Sequence, residues 1–582
     1  MEHKTGTPLK KSPHSLWLFI IPLFAIALYL DTLRNGFVYD DIPQVVQNPW
    51  IRNFHSITVI FTSGAWGFAG EGSNYYRPLM HIIYMLTYAL FGLNPLGFHV
   101  INIVIHAGVS LLVFVLASRF LAGVQLTHRL PALSAPVSAG LLFAAHPIHT
   151  EAVSWVSGIP DLSFTFFCLA SLLLYMKLPA NRIPSLHPHY PLSVFLFFLA
   201  TLCKETALVF PFLVIAYDHF VRRDRRTLWN QAARYLPFFS ATAVYFLLRA
   251  QALGSFAPVK RHAELSAYQY VISALPLLRD YALKLILPLN LRVFYTFHPA
   301  SSLLKAPAFS ALIFVMIVAV SLFMVHRANK KAFFFSMMIL FPLLPVLYIP
   351  ALGENPFSER YLYLPSAGFI LLLSLAVQYP QKAWRKGFLS LPVAVCLLIA
   401  LYSAGVVARN PVWRNDRTLW EDAVIKSPDA AIAHYNFGQV LYREGELDGA
   451  VRQYRAALQL QPSPKVYNDL AVAYNDLGMP DRAIELLQVA VQMNPDFADA
   501  HNNLGVAYIA KGLYRMAIYH LNKAVSLDPS FSGAYSNLGL SYEWLGMRDD
   551  AIINYKKALQ LDANNMTARN RLSTLSPGLN AQ

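Results

Sequence analysis

Two adjacent carboxylates stand in residues 35–43, just after the first apolar run of the chain. Asp40 and Asp41 follow the aromatic Tyr39, and Pro43 comes two positions after the pair. In such a pair, one carboxylate can act as general base for a hydroxyl group while the other orients the acceptor or binds a cation. A solvated acidic turn would show the same two residues. The pattern alone therefore leaves a catalytic pair and a surface turn open.

Other ionisable residues lie at the ends of apolar segments. Arg77, Lys204 and Arg360 are candidates for holding a phosphate or pyrophosphate, because cations form strong charge-assisted hydrogen bonds to phosphate oxygens. The alternative for each is an ion pair or a long side chain that reaches the membrane surface. Polar residues at membrane depth usually face a cavity. We therefore predict that seven more residues line the site: Tyr76, His146, His149, Glu151, Asp161, Glu205 and Glu359.

A metal centre has weak support in the sequence. His146 and His149 are spaced i, i+3, which suits metal binding, but no third ligand is evident. The three cysteines, Cys168, Cys203 and Cys396, lie far apart in apolar segments and indicate neither a disulfide framework nor a zinc site. We assign no metal ligands and expect no required cofactor, and a divalent metal stays an open alternative that the sequence does not support.

Apolar runs must position these residues. Several have about the ~20 residues that a bilayer-spanning helix needs, and residues 190–220 predict two short helices that meet at Lys204 and Glu205. Together they predict about eleven spans. The runs are 15–33, 98–118, 134–150, 158–178, the two halves of 190–220, 233–252, 309–326, 332–350, 361–379 and 387–406.

The distribution of Lys and Arg orients these spans. If the N-terminus is cytoplasmic and the helices 76–92 and 268–287 lie on the outer surface, every predicted inside loop is basic. The candidate site residues and the C-terminal part then lie outside. Basic flanks without a small-residue cleavage pattern predict that the first run is a retained anchor. We expect a multi-pass protein of the bacterial inner membrane with a periplasmic C-terminal part, or a lumenal one in the endoplasmic reticulum of a eukaryote.

Composition divides the chain into two parts at about residue 410. Hydrophobic residues make up 56% of it and charged residues 14%, against roughly 25% charged in a soluble domain. Residues 1–410 hold 31 Lys and Arg but 14 Asp and Glu, whereas residues 411–582 hold 16 and 18. The excess of basic residues lies between apolar runs and not on one soluble face, which argues against nucleic acid as a partner.

A period of 33 or 34 residues runs through the C-terminal part. Gly445, Gly478, Gly512 and Gly546 mark it, and an alanine follows each glycine by five positions. A period of this length predicts stacked helical hairpins, each with a glycine at its corner.

One polar residue recurs nine positions before each of those glycines. Side-chain amides on one face of the array can hydrogen-bond an extended peptide without reading its sequence. They can equally bridge neighbouring repeats, and both interpretations stay open. The four residues are Asn436, Asp469, Asn503 and Asn537.

Taken together, these motifs resemble the transmembrane-and-tetratricopeptide-repeat O-mannosyltransferases and their bacterial relatives, members of the GT-C superfamily of glycosyltransferases. The resemblance covers about residues 15–570. The segments that carry it are Phe-Val-Tyr-Asp-Asp at 37–41, Tyr-Arg-Pro-Leu at 76–79, His-Pro-Ile-His-Thr-Glu-Ala-Val-Ser-Trp at 146–155, Lys-Glu-Thr at 204–206 and Arg-Tyr-Leu-Tyr-Leu-Pro at 360–365.

The resemblance implies an all-α fold, with a GT-C-like transmembrane bundle followed by a tetratricopeptide-repeat solenoid. The implied domains are residues 1–410, with a first outer loop at 31–97, a half repeat at 411–428 and about four repeats with a tail at 429–582. It implies transfer of a sugar, mannose or another hexose, from a polyprenyl-phosphate donor to Ser or Thr of exported proteins. The implied reaction inverts the anomeric carbon, with Asp40 as base and Asp41 beside it.

Two other functions remain open. One is transfer to a glycan or lipid acceptor, although a repeat solenoid explains a lipid acceptor poorly. The other is a non-catalytic membrane scaffold for secretion or pilus assembly, since repeat arrays are commonly binding modules. The expected partners of the enzyme are membrane lipid, the lipid-linked sugar and an exported protein bound by the repeats.

Overall fold

The structure is a computed structural model that describes residues 15–70, 72–121, 134–178, 187–223, 228–255, 262, 264–349, 356–376 and 391–576. The chain divides into two compact units, Met1–Leu419 and Trp420–Gln582. Every regular element in the described ranges is helical, which confirms the all-α fold. The basic residues of several predicted inside loops, among them Arg129, Arg182 and Lys382, lie outside the described residues.

The first unit is built from apolar helices joined by short 3-10 and π-helical turns. Its helices are α1 (Trp17–Leu28), α2 (Ile57–Thr62), α3 (Pro78–Phe91), α4 (Pro95–Phe120), α5 (Ala135–Ala144), α6 (Thr150–Ser154), α7 (Ile159–Met176), α8 (His189–Cys203), α9 (Phe210–Ala216), α10 (Leu228–Leu253), α11 (Ala267–Ile286), α12 (Ala306–Ala328), α13 (Lys330–Leu343), α14 (Tyr363–Ala376) and α15 (Leu391–Arg409), followed by α16 (Asp416–Lys426).

Five helical segments of the described residues are long and apolar enough to cross a membrane. They coincide with five of the predicted spans, and shorter apolar helices stand at other predicted positions, including α1, α5 and α8. This identifies a membrane protein, while the total of eleven spans and their orientation stay predictions. The five segments are Pro95–Phe120, Val156–Met176, Gln231–Leu253, Ala306–Ala328 and Pro392–Trp413.

The span predicted at 134–150 ends early. Helix α5 stops at Ala144, and the chain then passes through a 3-10 turn that begins at Pro147 before α6 and α7. A proline favours a new helix start but breaks a continuing helix. Between α6 and α7 the backbone turns so tightly that a Cβ on Gly158 would lie 2.2 Å from the carbonyl oxygen of Ala152. This crossover brings polar residues of 146–161 to one end of the bundle.

The second unit is the predicted repeat array. Four helical hairpins and a final helix follow one another, and the four corner glycines have φ between +71° and +80°, a left-handed conformation that glycine adopts without steric cost. The elements are α17 (Ala431–Arg443), α18 (Leu447–Leu460), α19 (Pro464–Asp476), α20 (Pro480–Met493), α21 (Ala498–Ala510), α22 (Tyr514–Leu527), α23 (Ser532–Trp544), α24 (Arg548–Leu561) and α25 (Met566–Leu575).

Candidate functional site

The loop that carries the acidic pair is fixed by hydrogen bonds from two of its backbone N–H groups, those of Gly36 and Tyr39. The Gly36 N–H donates to the carbonyl oxygen of Arg414 at 2.9 Å, and the Tyr39 N–H donates to Asp416 Oδ1 at 2.9 Å. Tyr39 itself has φ of +52°, which an aromatic residue adopts only where the surroundings enforce it. This strained residue immediately precedes Asp40, so its backbone conformation helps to set the direction of the Asp40 side chain.

The two acids of the pair have different environments. Asp41 is fully buried, and its Oδ1 accepts the Ser157 N–H at 2.8 Å and the Ser157 hydroxyl at 2.6 Å. Its Oδ2 accepts the Val38 N–H at 3.1 Å. Asp40 is partly exposed, and within the described residues no hydrogen bond reaches its carboxylate. Asp41 therefore fixes the loop to the crossover before α7, while Asp40 is open to a reactant.

Burial raises the pKa of both carboxyl groups. The pKa of Asp40 rises to about 6, with nearby Arg360 acting in the opposite direction. The pKa of Asp41 rises to about 7, although the hydrogen bonds from Ser157 and Val38 favour its charged form. A carboxylate with a pKa near 6 is ionised at neutral pH and is a stronger base than an ordinary aspartate.

Arg360 lies beside the acidic loop. It forms an ion pair with Glu151, and its backbone N–H donates to Glu151 Oε2 at 3.1 Å. The guanidinium also lies 5.0 Å from the ring of Trp155. Trp155 in turn stacks on Tyr39, with ring centroids 6.0 Å apart, and on Trp413 at 5.7 Å. An aromatic stack thus ties Arg360 to the residue before Asp40, and the guanidinium remains partly exposed.

Lys204 and Glu205 do not pair with each other. Lys204 has extended backbone dihedrals, φ −159° and ψ 140°, and adjacent side chains of an extended chain point to opposite sides. Lys204 forms a buried ion pair with Asp161 and lies 4.3 Å from the ring of Tyr361. Tyr361 also lies 5.2 Å from the Arg360 guanidinium, so one aromatic ring links two of the candidate phosphate-binding cations.

Arg77 is the third cation. Its Nε and Nη2 donate to Glu205 Oε2 at 3.1 and 2.9 Å, and the Tyr76 N–H donates to Oε1 of the same carboxylate at 3.2 Å. Each candidate cation therefore has its own carboxylate. Arg77 and Arg360 keep partly exposed side chains with spare N–H donors, whereas Lys204 is almost fully buried.

Glu359 is held inside the protein. Its Oε1 accepts the Arg292 N–H at 2.7 Å and the Tyr295 hydroxyl at 2.6 Å, and Oε2 accepts from Arg409 at 2.9 Å. It has no exposed surface. Burial raises its pKa, and the Arg409 guanidinium opposes that shift. These contacts fix the backbone next to Arg360, so the structure gives Glu359 a positioning role.

The two histidines of the crossover are buried. His146 accepts the Ile148 N–H through Nδ1 at 3.3 Å, and its Nε2 donates to the carbonyl oxygen of Leu285 at 3.2 Å. His149 Nε2 lies 2.7 Å from the Ser366 hydroxyl. Within the described ranges, no group of three or more His, Cys, Asp or Glu is arranged to hold a metal ion.

Comparisons with known proteins identify relatives over about three quarters of the chain. Over 453 residues the chain is 30% identical to a Caenorhabditis elegans protein O-mannosyl-transferase, covering 77% of this chain and 63% of the relative. It is 27% identical to human protein O-mannosyl-transferase TMTC3, with 81% of this chain and 54% of that protein covered. It is 28% identical to human protein O-mannosyl-transferase TMTC4, with 75% of this chain and 65% of that protein covered.

The chain is a homologue of the protein O-mannosyl-transferases. This confirms the resemblance found in the sequence. The chain spans between about half and two thirds of the length of these relatives.

The repeats of this O-mannosyl-transferase homologue match known repeat families. The tetratricopeptide repeat matches residues 498–531 and 532–565, and the TPR repeat matches 438–478 and 473–512. Among solved structures, the crystal structure of MamA is 29% identical, with 25% of this chain and 85% of that chain covered and a TM-score of 0.24.

Three members of the polar ladder, the four residues that recur once per repeat, lie in contacts between repeats. Asn503 Nδ2 donates to Asn468 Oδ1 at 2.9 Å, and Asn537 Nδ2 donates to Asn502 Oδ1 at 2.9 Å. Asp469 accepts the hydroxyl of Tyr435 from the preceding repeat at 2.8 Å. The fourth member, Asn436, is the first of the series along the chain. Each amide of Asn503 and Asn537 keeps one further N–H, so peptide binding by the ladder stays a prediction.

Ser157, Tyr295 and Arg409 complete the site without having been singled out in the sequence. Ser157 stands two residues after the motif that ends at Trp155, and nothing in its neighbourhood distinguishes it from other helix-start serines. Arg409 is a basic residue at the end of an apolar run, a position at which most such residues simply face water or lipid headgroups. Only the fold brings them to the acids.

Removing the Ser157 hydroxyl tests the positioning role of Asp41. In Ser157→Ala, Asp41 loses one of its three donors, and a hydrogen bond to a charged group is worth about 1.5–3 kcal/mol. Because the acidic loop loosens while the cations near it stay in place, we expect the kcat of the sugar transfer proposed below to fall about tenfold. The KM for the sugar donor should change little. Ser163→Ala is the matched control, since the Ser163 hydroxyl donates to the carbonyl oxygens of Ile159 and Pro160 in the first turn of α7 and does not bond either acid of the pair. Equal kinetics of the two variants would contradict the assignment.

Proposed function

We propose that this protein is an integral-membrane glycosyltransferase of the GT-C type. It moves a hexose, with mannose as the first candidate, from a polyprenyl-phosphate donor to Ser or Thr hydroxyl groups of exported proteins at the non-cytoplasmic face. The names of its homologues support protein O-glycosylation. The observation that carries the proposal is the division of the acidic pair, in which Asp41 holds the loop and Asp40 stays accessible beside Arg360.

In the proposed step, the Asp40 carboxylate takes the proton of the acceptor hydroxyl. The hydroxyl oxygen forms a bond to the anomeric carbon of the sugar, and the bond from that carbon to the phosphate oxygen breaks. Attack from the face opposite to the phosphate inverts the anomeric carbon. The electron pair of the broken bond leaves with the phosphate, which needs no acid to depart as an anion.

Cationic side chains would stabilise the charge that develops on the leaving phosphate. Arg360 and Arg77 support this role because both guanidinium groups are partly exposed and are held in place by a carboxylate. Lys204 supports it less directly, since it is buried against Asp161 and Tyr361. We propose that Arg77 and Arg360 contact the donor phosphate and that Lys204 maintains their surroundings.

The repeats would hold the acceptor protein. Tetratricopeptide repeats form extended surfaces suited to binding other chains, and a protein acceptor accounts for their presence better than a lipid acceptor does. We propose that the repeats and the acidic loop lie on the non-cytoplasmic side, because the basic residues of the predicted inside loops favour that orientation.

Transfer by the purified protein tests the function. The full-length chain would be incubated with polyprenyl-phosphate mannose and a Ser/Thr peptide, with a polyprenyl-linked glycan as competing acceptor, and the products identified by mass spectrometry. We expect mannosylated peptide and an unmodified glycan. Modification of the glycan alone would contradict protein O-glycosylation, and absence of any transfer from several hexose donors would contradict the enzyme.

The pH dependence follows from the raised pKa of Asp40. Only the carboxylate can accept the acceptor's proton, so kcat/KM rises with pH as Asp40 loses its proton, with a midpoint near 6. At pH 5 we expect about one tenth of the rate reached at pH 8. The profile would be measured between pH 5 and 8, with thermal denaturation at each pH to show that the protein stays folded. A rate that is constant between pH 5 and 7 would contradict Asp40 as the base.

A further inference from the structure

A cavity of about 710 Å³ lies between α11, the segment 287–305 and the start of α12. Its volume falls in the range of small-molecule sites, roughly 300–1,000 Å³. Among the described residues that line it, Asp280 is the only carboxylate. The basic lining residues are Arg279, Lys284, Arg292, His298 and Lys305.

Asp280 is already neutralised. Arg279 Nε donates to Asp280 Oδ1 at 2.9 Å, and Arg279 Nη1 donates to Ser310 Oγ at 2.9 Å and to the Pro307 carbonyl oxygen at 3.2 Å. This arginine therefore ties α11 to the first turns of α12. The one acid of the cavity wall is thus not available to the other cations.

Three cations remain without a carboxylate partner within the described residues. Lys284 donates only to carbonyl oxygens, those of Leu289 and Asn290 at 2.6 and 3.0 Å. Arg292 lies over the Tyr295 ring at 5.9 Å, and Lys305 is exposed. Cations converging on a concave site favour an anionic ligand. The charges of Glu359 and Asp280 act on Lys284, but within the described residues none of the three cations forms an ion pair with a carboxylate.

The cavity wall also offers an unused hydroxyl group. The Thr296 Oγ1 atom is buried and has no hydrogen-bond partner among the described residues. A buried polar atom usually has a partner, so a ligand with hydrogen-bonding oxygens would complete this wall.

Apolar side chains at the edge of the cavity are exposed. Leu283 and Leu287 of its lining are 44% and 58% exposed, and neighbouring Leu304 is 86% exposed. In the apolar 18-residue window of α12, 11% of the residues are buried, so few side chains of this candidate membrane helix lie inside the protein. A ligand here therefore meets cations on one side and lipid-facing leucines on the other.

We propose that this cavity binds the phosphate group of a membrane lipid. Arg292, Lys284 and Lys305 hold the phosphate, and the apolar chain of the lipid follows Leu283 and Leu287 toward α12. A free phosphate ion would use the cations but leave the leucines without a role. The proposal concerns binding and does not depend on the transferase activity.

The cavity is connected to the acidic loop by the segment that contains Arg292. The Phe294 ring contacts the Tyr39 ring, with centroids 6.2 Å apart, and the Arg292 N–H bonds Glu359, next to Arg360. A polyprenyl phosphate in this cavity would lie next to the candidate site, whereas a phospholipid would act as a structural lipid. Both bring the same chemistry, a phosphate on an apolar chain.

The test measures lipid binding by native mass spectrometry of the full-length protein in neutral detergent. The probes are polyprenyl phosphate, phosphatidylglycerol and polyprenol, which has the same chain without the phosphate. Arg292→Gln/Lys305→Gln is compared with Arg327→Gln/Lys330→Gln, which removes the same charge at the junction of α12 and α13. Lys305→Gln alone changes an exposed side chain and serves as the variant least disturbing to folding.

We expect polyprenyl phosphate to bind more tightly than polyprenol. The affinity for polyprenyl phosphate should fall 10- to 100-fold in Arg292→Gln/Lys305→Gln and about tenfold in Lys305→Gln. It should change little in the Arg327→Gln/Lys330→Gln control. Equal losses for phosphatidylglycerol would support a general lipid-phosphate site, and a loss confined to polyprenyl phosphate would support a cavity that is selective for the polyprenyl chain and separate from the contacts of Arg77 and Arg360. Binding of polyprenol as tight as that of both phosphates, or unchanged binding in the cavity variants, would overturn the proposal whether or not the enzyme transfers sugar.

Discussion

Replacing Asp40 with Asn is expected to lower kcat by a factor of about 10² to 10⁴, the usual contribution of a positioned general base. The amide keeps the size of the side chain but cannot take the proton of the acceptor hydroxyl. Donor binding should change little, because the phosphate contacts are assigned to Arg77 and Arg360. The measurement is the rate of transfer from polyprenyl-phosphate sugar to a Ser/Thr peptide under saturating donor.

Stability should not explain this loss. Burial raises the pKa of Asp40 above its ordinary value, so the folded state disfavours the ionised form at neutral pH. A neutral Asn removes that cost, and we expect the Tm of Asp40→Asn to equal or exceed that of the parent at pH 8. Glu264→Gln removes an exposed acid and is the matched control for activity. An Asp40→Asn protein with the parental rate would rule out Asp40 as the base.

Replacing Lys204 with Met should strongly destabilise the first unit. Lys204 and Asp161 form an ion pair in which both side chains are more than nine-tenths buried. Removal of one partner leaves a buried, uncompensated charge, which typically costs about 3–5 kcal/mol. We expect a lower Tm and earlier aggregation on heating in detergent, measured by the loss of the monodisperse peak in size-exclusion chromatography.

The double variant Lys204→Met/Asp161→Leu separates a structural role from a donor-binding role. Because a buried pair can often be replaced by apolar residues at little cost, we expect most of the lost stability to return. If Lys204 only supports its neighbours, the double variant regains most of its activity. A stable double variant whose KM for the lipid donor stays at least tenfold raised would show that Lys204 contacts the phosphate after all. An unchanged Tm in Lys204→Met would contradict the buried pair.

The repeat array is the part of the fold that sequence predicts best. Its helical corners require a left-handed backbone, glycine alone adopts that backbone without cost, and the spacing of Gly445, Gly478, Gly512 and Gly546 therefore reveals each hairpin directly. The long spans are predictable for a similar reason, since bilayer thickness fixes the length of an apolar helix. Helix α5 was less predictable, because the apolar run continues past the point where Pro147 and the crossover end the helix.

The candidate site was predictable in its residue types but not in its pairing. The family resemblance implied that Asp40 is the base, but no local residue pattern separates Asp40 from Asp41, since the difference in their surroundings arises from Ser157, more than a hundred positions away. Likewise, the sequence neighbours Lys204 and Glu205 suggest a pair, whereas the extended backbone at Lys204 directs each to another partner. Such partners are set by helix packing, which local residue patterns do not encode.

The anchoring of the acidic loop has a consequence for biosynthesis. Gly36 and Tyr39 are bonded to Arg414 and Asp416, and the Tyr39 contact spans 377 positions of the chain. During translation, the loop is made near the beginning, but the residues that fix its backbone emerge only after the last apolar helix of the unit. A nascent or truncated chain that stops before residue 414 would therefore have its acids without the geometry that orients them. Competence for catalysis would then begin only when the whole first unit has been inserted, so a half-made protein could not act on lipid-linked sugar.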